Sequence, residues 1–400
     1  KNVPSDLKVW KGMIQDIDWS QVAAKTKLSL QRDKDRITAE FKEFAAMDTS
    51  AKIDWLMNGD RHLGYLYKKD AIAFARREWK GLKSVGYDFV GWLKIWGGML
   101  NMVMKDPMSI MLAVFEYHWF ASYLATPAVV DRSVFGRRGK LLQADFDMWV
   151  AITHWAEDLI ANLIMADAKI GGNQKINKRI IMFDEMTMAQ MMAGFPNLLG
   201  IPYQMIPVFM VSEMDQLTLI PYIDAIESYG LPSDTCPLPT AECGCAVKDE
   251  YPMCGQGFIA SSMPCDGSVM ATSFQDRRFS KFMPSYPLCM PVRYDDEDTT
   301  EMAAADMKDC IHWVEGLTGE TWNWDTYFAT MEKMNECTRL EMEKWEINKT
   351  HYPQLVGSSF ELFRKWNYEM DGGLFPEGLK TQRKICKTMM EIYEKKLPAY

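Results

Sequence analysis

The stretch "GFIASSMPCDGSVM" (residues 257–270) decides how the second half of the chain folds. Its first seven residues are a short apolar run suited to a buried strand. Pro264 and Cys265 interrupt that run, and Asp266 and Ser268 can then cap a helix beginning there. A strand running directly into a helix is half of a βαβ unit, with its loop at the C-terminal end of a parallel strand. Cys265 stands in that loop.

Working outward, "RIIMF" (179–183) and "LLGIPYQMI" (198–206) read as two further strands, and "YPLCMPV" (286–292) as a fourth. Helical patterns fall between them. "EMTMAQMMAGF" (185–195) ends near Gly194, and "DQLTLIPYIDAIESYG" (215–230) is closed by Gly230. Alternating strands and helices predict an α/β fold, a doubly wound parallel-sheet lobe with a helical insertion, over 176–298. In such a lobe ligands bind beyond the C-terminal ends of the strands. The chain then returns to helices over 299–400, in "AAADMKDCIHWVEGLTG", "WDTYFATMEKMNECTRLEMEKWEINKTHY" and "GLKTQRKICKTMMEIYEKKLPAY". The acidic run in "RYDDEDTTE" (293–301) lies where a helix starts, so first-turn acids account for it without a divalent ion.

Residues 1–175 read as a mostly helical N-terminal domain whose sequence does not disclose its role. "DLKVWKGMIQDI", "ITAEFKEFAAM" and "AIAFARREWKGLKSV" carry apolar residues at three- and four-residue spacing. Their many Trp and Met side chains indicate a packed core or a subunit interface. "VVDRSVFGRRGK" (129–140) and "AKIGGNQKINKR" (168–179) read as loops. The longest apolar run, Pro107–Val130, holds Glu116 and His118 in its middle, which fits a buried helix and not a membrane span.

A net charge of −9 provides no basic patch for nucleic acid. The opening "KNVPSDLKVWKG" has no apolar run of signal-peptide type, so the expected location is cytoplasmic. In that reducing setting the nine cysteines are thiols, and five of them (Cys236, Cys243, Cys245, Cys254 and Cys265) fall within thirty residues. Cys289, Cys310, Cys337 and Cys386 read as ordinary buried small side chains. Structural zinc would favour CxxC pairs or nearby histidines, and the five histidines are far away in sequence. A catalytic cysteine would need a histidine brought in by the fold. An iron–sulfur cluster fits the clustered thiols better, because thiolates are its preferred ligands and their spacing can be wide.

Five blocks in order resemble the 2-hydroxyacyl-CoA dehydratase / benzoyl-CoA reductase family over residues 178–400. They are "KRIIMFDEMTMAQMMAGFPNLLGIPYQ", "GLPSDTCPLPTAECG", "SSMPCDGSVM", "YPLCMPVRYDDED" and "MKDCIHWVEGLTGETWNWDTYFATMEKMNE". The resemblance implies the iron–sulfur subunit of a radical 2-hydroxyacyl-CoA dehydratase, holding a [4Fe-4S] or larger cluster. It implies a homologous second subunit, an acyl-CoA substrate and an ATP-dependent iron–sulfur activator that injects one low-potential electron. The thioester then becomes a ketyl radical anion, which acidifies the 3-position and expels the 2-hydroxyl. A reductase of the benzoyl-CoA type, or a non-catalytic scaffold subunit, is the alternative.

Carried over by position, Cys236 and Cys265 fall on two cluster ligands of the family. The family's third ligand lies in a second α/β lobe, and this sequence stops at Tyr400, about where that lobe would begin. The third ligand then comes from a part of the protein beyond this sequence, from another chain or from a local cysteine, and the local candidate is Cys254, eleven residues before Cys265, ahead of Cys243 and Cys245. Glu185 stands nearest to the family's serine-rich substrate stretch and is the candidate catalytic residue. The family's "Tyr-Pro-Glu" is here Ile201–Pro202–Tyr203.

Overall fold

The computed structural model describes residues 82–124, 126–127, 140–183, 189–203, 207–208, 211, 216–231, 235–261, 266–289, 291, 296–352 and 376–396, together with 44–52 and the single positions 31, 38 and 42. The chain forms two compact units, Lys1–Phe89 with Asp131–Gly136, and Val90–Val130 with Arg137–Tyr400. In the described part of the first unit the chain is helical at 44–46 and again at 49–52, where Asp48 accepts the Ala51 N–H at 2.8 Å.

The described elements, in chain order, are α1 (Leu82–Lys105), α2 (Pro107–Glu116), α3 (Phe120–Leu124), α4 (Lys140–Ala166), α5 (Gln174–Asn177), β1 (Ile180–Phe183), β2 (Leu199–Pro202), α6 (Ile220–Glu227), α7 (Pro237–Val247), β3 (Gly257–Ser261), α8 (Asp266–Phe279), β4 (Ser285–Leu288), α9 (Glu297–Thr318), α10 (Trp324–Asn348) and α11 (Pro376–Glu394). The fold is helical with one small parallel sheet, as the α/β reading with a preceding helical region expects.

The apolar run 107–130 is not one helix. Asp106 caps α2 by accepting the Ser109 N–H at 3.1 Å, with Pro107 in the first turn. The chain turns extended at Tyr117, and α3 restarts at Phe120. Tyr117, Trp119, Phe120 and Tyr123 are fully buried beside Ile160 and Ile164 of α4, in the same core as Ile180 and Met182 of β1. The core therefore runs from these helices into the sheet without a break. Among the described residues no helix is long and apolar enough to cross a membrane.

All strand pairs are parallel, in the order β2-β1-β3-β4. The chain leaves β1 toward one side and β3 toward the other, so the topological switch point lies between these two neighbours. Alternation sends Ile180, Met182 and Phe258 into the core shared with α4, α6 and α7. Ile181, Phe183, Ile259 and Leu288 face the opposite side, against Cys310, Ile311 and Val314 of α9. Gly257 opens β3 because a Cβ there would stand 2.6 Å from both Trp313 and Leu317 of α9.

Helix α9 starts where the acidic run ends. Asp296 caps it by accepting the Thr299 N–H at 2.6 Å, Glu297 and Asp298 fill the first turn, and Gly319 closes it at φ 76°. Two sequence-predicted helices are shorter than their patterns. Over 215–230 a 3-10 turn (Gln216–Leu219) precedes α6, because Pro221 lacks the N–H that would continue a helix from upstream. Over 185–195 the described part is the 3-10 turn Ala189–Met192.

Candidate functional site

Helix α7 is the element that the sequence pattern hides. "PLPTAECGCAV" has two prolines and a central glycine, yet Pro237 stands at the tolerated first position and starts the helix. Gly244 is required for packing, since a Cβ there would lie 1.9 Å from the carbonyl oxygen of Tyr222 in α6. Cys243 and Cys245 are inside this helix and fully buried.

Cys236 is the N-cap residue of α7, exposed, and its side chain makes no capping bond. Its carbonyl accepts from the Thr240 hydroxyl at 2.8 Å, which fixes the first turn. At the far end, Glu250 donates its N–H to the Cys245 carbonyl at 3.0 Å, and its carboxylate accepts from the Tyr222 hydroxyl at 2.6 Å and the His118 N–H at 2.9 Å.

Helix α8 lies alongside α7 and runs the same way. Cys243 and Ala271 share a small buried cluster with Ile226. One turn and more further on, Gln275 donates to the Tyr251 hydroxyl at 3.1 Å, and Arg278 donates to the Tyr251 carbonyl at 2.9 Å and pairs with Asp249. Extended backward, this register sets the first turn of α8 level with the first turn of α7. Asp266, the first residue of α8, directly follows Cys265, which lies outside the described residues, as does Glu185.

Cys254 stands at the other edge of the sheet. The backbone around it is held where β1 and β3 begin. Met253 N–H donates to Asp167 Oδ1 at 2.8 Å, Gly255 N–H to Asn177 Oδ1 at 2.6 Å, and Gln256 N–H to the Ile180 carbonyl at 2.9 Å. Strand β3 then runs five residues, about 13 Å, before reaching Ser261. Cys254 is only 4% exposed within the main core, and burial pushes its thiol well above the ordinary range. Nearness in sequence does not bring Cys254 to the end of β3, because the whole strand lies between Cys254 and Ser261.

Cys243 and Cys245 are shut in as well. Burial, with the Glu242 charge second, pushes the Cys243 thiol up to about 12, and burial likewise raises Cys245. Cys310, Cys337 and Cys386 are buried, as the sequence suggests. Cys289 is not: it is exposed, directly after the last residue of β4. Among the described residues no three His, Cys, Asp or Glu side chains stand close enough together to hold a metal ion.

On the substrate side, Tyr203 follows the end of β2 but turns into the core. It stacks on Tyr251 at 4.5 Å and donates its hydroxyl to the Pro252 carbonyl. The residue at this position therefore packs instead of facing a ligand.

Residues 216–397 match a family model described as 2-hydroxyglutaryl-CoA dehydratase, D-component. The match takes in α6 to α11 and both β3 and β4, a narrower span than the 178–400 of the sequence resemblance. No curated protein matches the chain.

Proposed function

With residues 216–397 placed in the 2-hydroxyacyl-CoA dehydratase family, we propose that this chain is the iron–sulfur subunit of a radical 2-hydroxyacyl-CoA dehydratase, working with a partner subunit and an ATP-dependent iron–sulfur activator. The observation that carries the reading is the placement of Cys236. Inside the family-matched segment it is an exposed thiol at the start of α7, level with the start of the helix that follows Cys265. The donor set fits an iron–sulfur group, for which thiolates are the preferred ligands.

Cys236 and Cys265 would hold the [4Fe-4S] or larger cluster, with the free amides of two adjacent helix starts favouring the negative charge there. When bound, that group supplies a low-potential electron and a Lewis-acidic iron. The acyl-CoA thioester would lie in the crevice outside the C-terminal ends of β1 and β3, the switch point of the sheet. Glu185, in the segment leaving β1, would take or return a proton at the substrate's carbon. The chain's remaining task is to position these groups and exclude water.

The test is iron, acid-labile sulfide and zinc per chain, with an electron paramagnetic resonance spectrum, on protein purified without oxygen. About four irons and four sulfides per chain are expected for one cubane. Zinc without sulfide, or no metal, overturns the reading. An assay with the activator then separates dehydration from reduction. The reductase alternative draws support from Tyr203, whose burial removes a side chain from the substrate crevice.

A scaffold reading has one observation of its own. Helix α1 buries Ile95 and Met102 on one side, yet leaves Leu93, Trp96, Leu100 and Met104 exposed on the other at 48%, 36%, 55% and 69%. An apolar stripe of this kind marks a docking face. A purely scaffolding chain predicts that Cys236→Ser leaves assembly and turnover intact.

A further inference from the structure

We propose that Cys289 is a third thiolate of the same site, in the place that sequence proximity assigns to Cys254. The proposal rests on the dehydratase reading above and adds to it a ligand from β4. Eight cysteines are described, and two of them are exposed, Cys236 and Cys289. Both lie at the same edge of the sheet. The last β3–β4 pair is Ser261 with Leu288, so Cys289 follows β4 at the level where the segment leading to Cys265 follows β3.

The facing also agrees. Ser285 bonds Asp276 of α8, whereas Tyr286 and Leu288 pack with the α9 side. Alternation continued one residue past β4 would put Cys289 on the face of the sheet that α7 and α8 cover. That is the face on which Cys236 opens α7.

Cys289 is also held in place while its thiol stays open. Its N–H donates to Asp306 Oδ2 at 2.5 Å, and the same carboxylate accepts the Tyr286 hydroxyl at 2.8 Å. A carboxylate of α9 thus clamps the end of β4 and fixes the backbone from which the side chain projects. Fixed backbone and exposed sulfur are what a thiolate ligand requires. On binding, the thiol gives up its proton to solvent and an S–Fe bond forms, with no change in oxidation state.

The full-length chain, reconstituted with ferrous iron and sulfide without oxygen, provides the test. Iodoacetamide labelling read by mass spectrometry is expected to modify Cys236 and Cys289 readily in the metal-free protein. Both should be protected at least tenfold once it is loaded, while Cys254 stays unreactive in both states. Cys289→Ser is expected to lose half or more of the bound iron or to change the resonance spectrum, and Cys254→Ser to keep both. Equal labelling of Cys289 with and without iron overturns the proposal, whether or not the serine variant folds. So does Cys289→Ser with wild-type iron and spectrum. A wild-type chain that takes up no iron and sulfide fails at the earlier step, sinking the dehydratase reading and this proposal together.

Discussion

The two edges of the four-stranded sheet use the same residue types for opposite ends. At the edge where the strands begin, the backbone on either side of Cys254 is tied down by side chains, Met253 N–H by Asp167 and Gly255 N–H by Asn177. Asp167 is buried and accepts from the Tyr117 hydroxyl, the Met253 N–H and the Lys169 N–H. The thiol of Cys254 is shut into the core beside it. At the edge where the strands end, Cys236 and Cys289 are exposed and their backbones are fixed by α7 and by Asp306. The lesson is that a cysteine's chemistry in this chain follows from the strand end it occupies. One edge is shut, and the other leaves two thiols open.

Cys236→Ser should produce the largest effect and tests the open edge directly. Loss of most of the bound iron and sulfide is expected, while the unfolding free energy of metal-free protein in urea changes by less than about 0.5 kcal/mol, as for an exposed side chain. A fully loaded variant would break the comparison.

Asp167→Ala tests the closed edge. Two buried donors and one half-buried donor lose their acceptor, so a loss on the order of 3 kcal/mol is expected in denaturant unfolding, with the iron content of the folded fraction unchanged. A drop in iron without a drop in stability would show that the two edges are not independent.

Glu157 sharpens the meaning of a satisfied carboxylate. It lies buried in α4 and, among the described residues, accepts no hydrogen bond, so burial pushes its carboxyl up to about 8. The folded chain keeps this proton at pH values where the unfolded chain has released it. Stability should therefore fall as pH rises from about 5 to 8, by roughly 3 kcal/mol, and level off above that. Glu157→Gln should flatten that slope in urea titrations at pH 5, 6.5 and 8. An unchanged slope would move the titration to another group. Asp167, held by three donors yet also raised by burial, contributes a fall of the same sign that persists in the Glu157 variant.

Tyr203→Phe should have the smallest effect, about 1 kcal/mol, from the lost bond to the Pro252 carbonyl. Activity in the loaded enzyme should survive, since the hydroxyl faces the core. A large loss of turnover with normal stability would return Tyr203 to the substrate crevice.

Much of the fold was legible in the sequence where the deciding interactions are local. "RIIMF", "LLGIPYQMI" and "GFIASSM" each contain an observed strand, "YPLCMPV" overlaps β4 by three residues, and the acids of "RYDDEDTTE" mark the start of α9 as its capping geometry requires. Helix α7 was not legible, because Pro237, Pro239 and Gly244 read as loop residues. Only the fit of Gly244 against the Tyr222 carbonyl shows why glycine belongs inside a helix there. Its one available signal was proline at a helix's first position. The candidate site was legible in part: the cysteine-rich stretch and Cys236 stand out in the sequence, whereas the status of Cys289 as an exposed thiol does not.

By itself, then, the sequence determined the strands, the helix caps of α9, and the segment in which the family resemblance lies. Those features depend on residues within a few positions of one another. The tertiary structure alone decided which cysteines share an edge. Cys254 is eleven residues from Cys265 and Cys289 is twenty-four, yet all of β3 lies between Cys254 and Ser261, whereas Cys289 directly follows Leu288, the partner of Ser261. In a parallel sheet each strand carries the chain from one edge to the other, and each crossover helix returns it. Residues on either side of one strand are therefore separated in space, and residues that follow neighbouring strands are brought together.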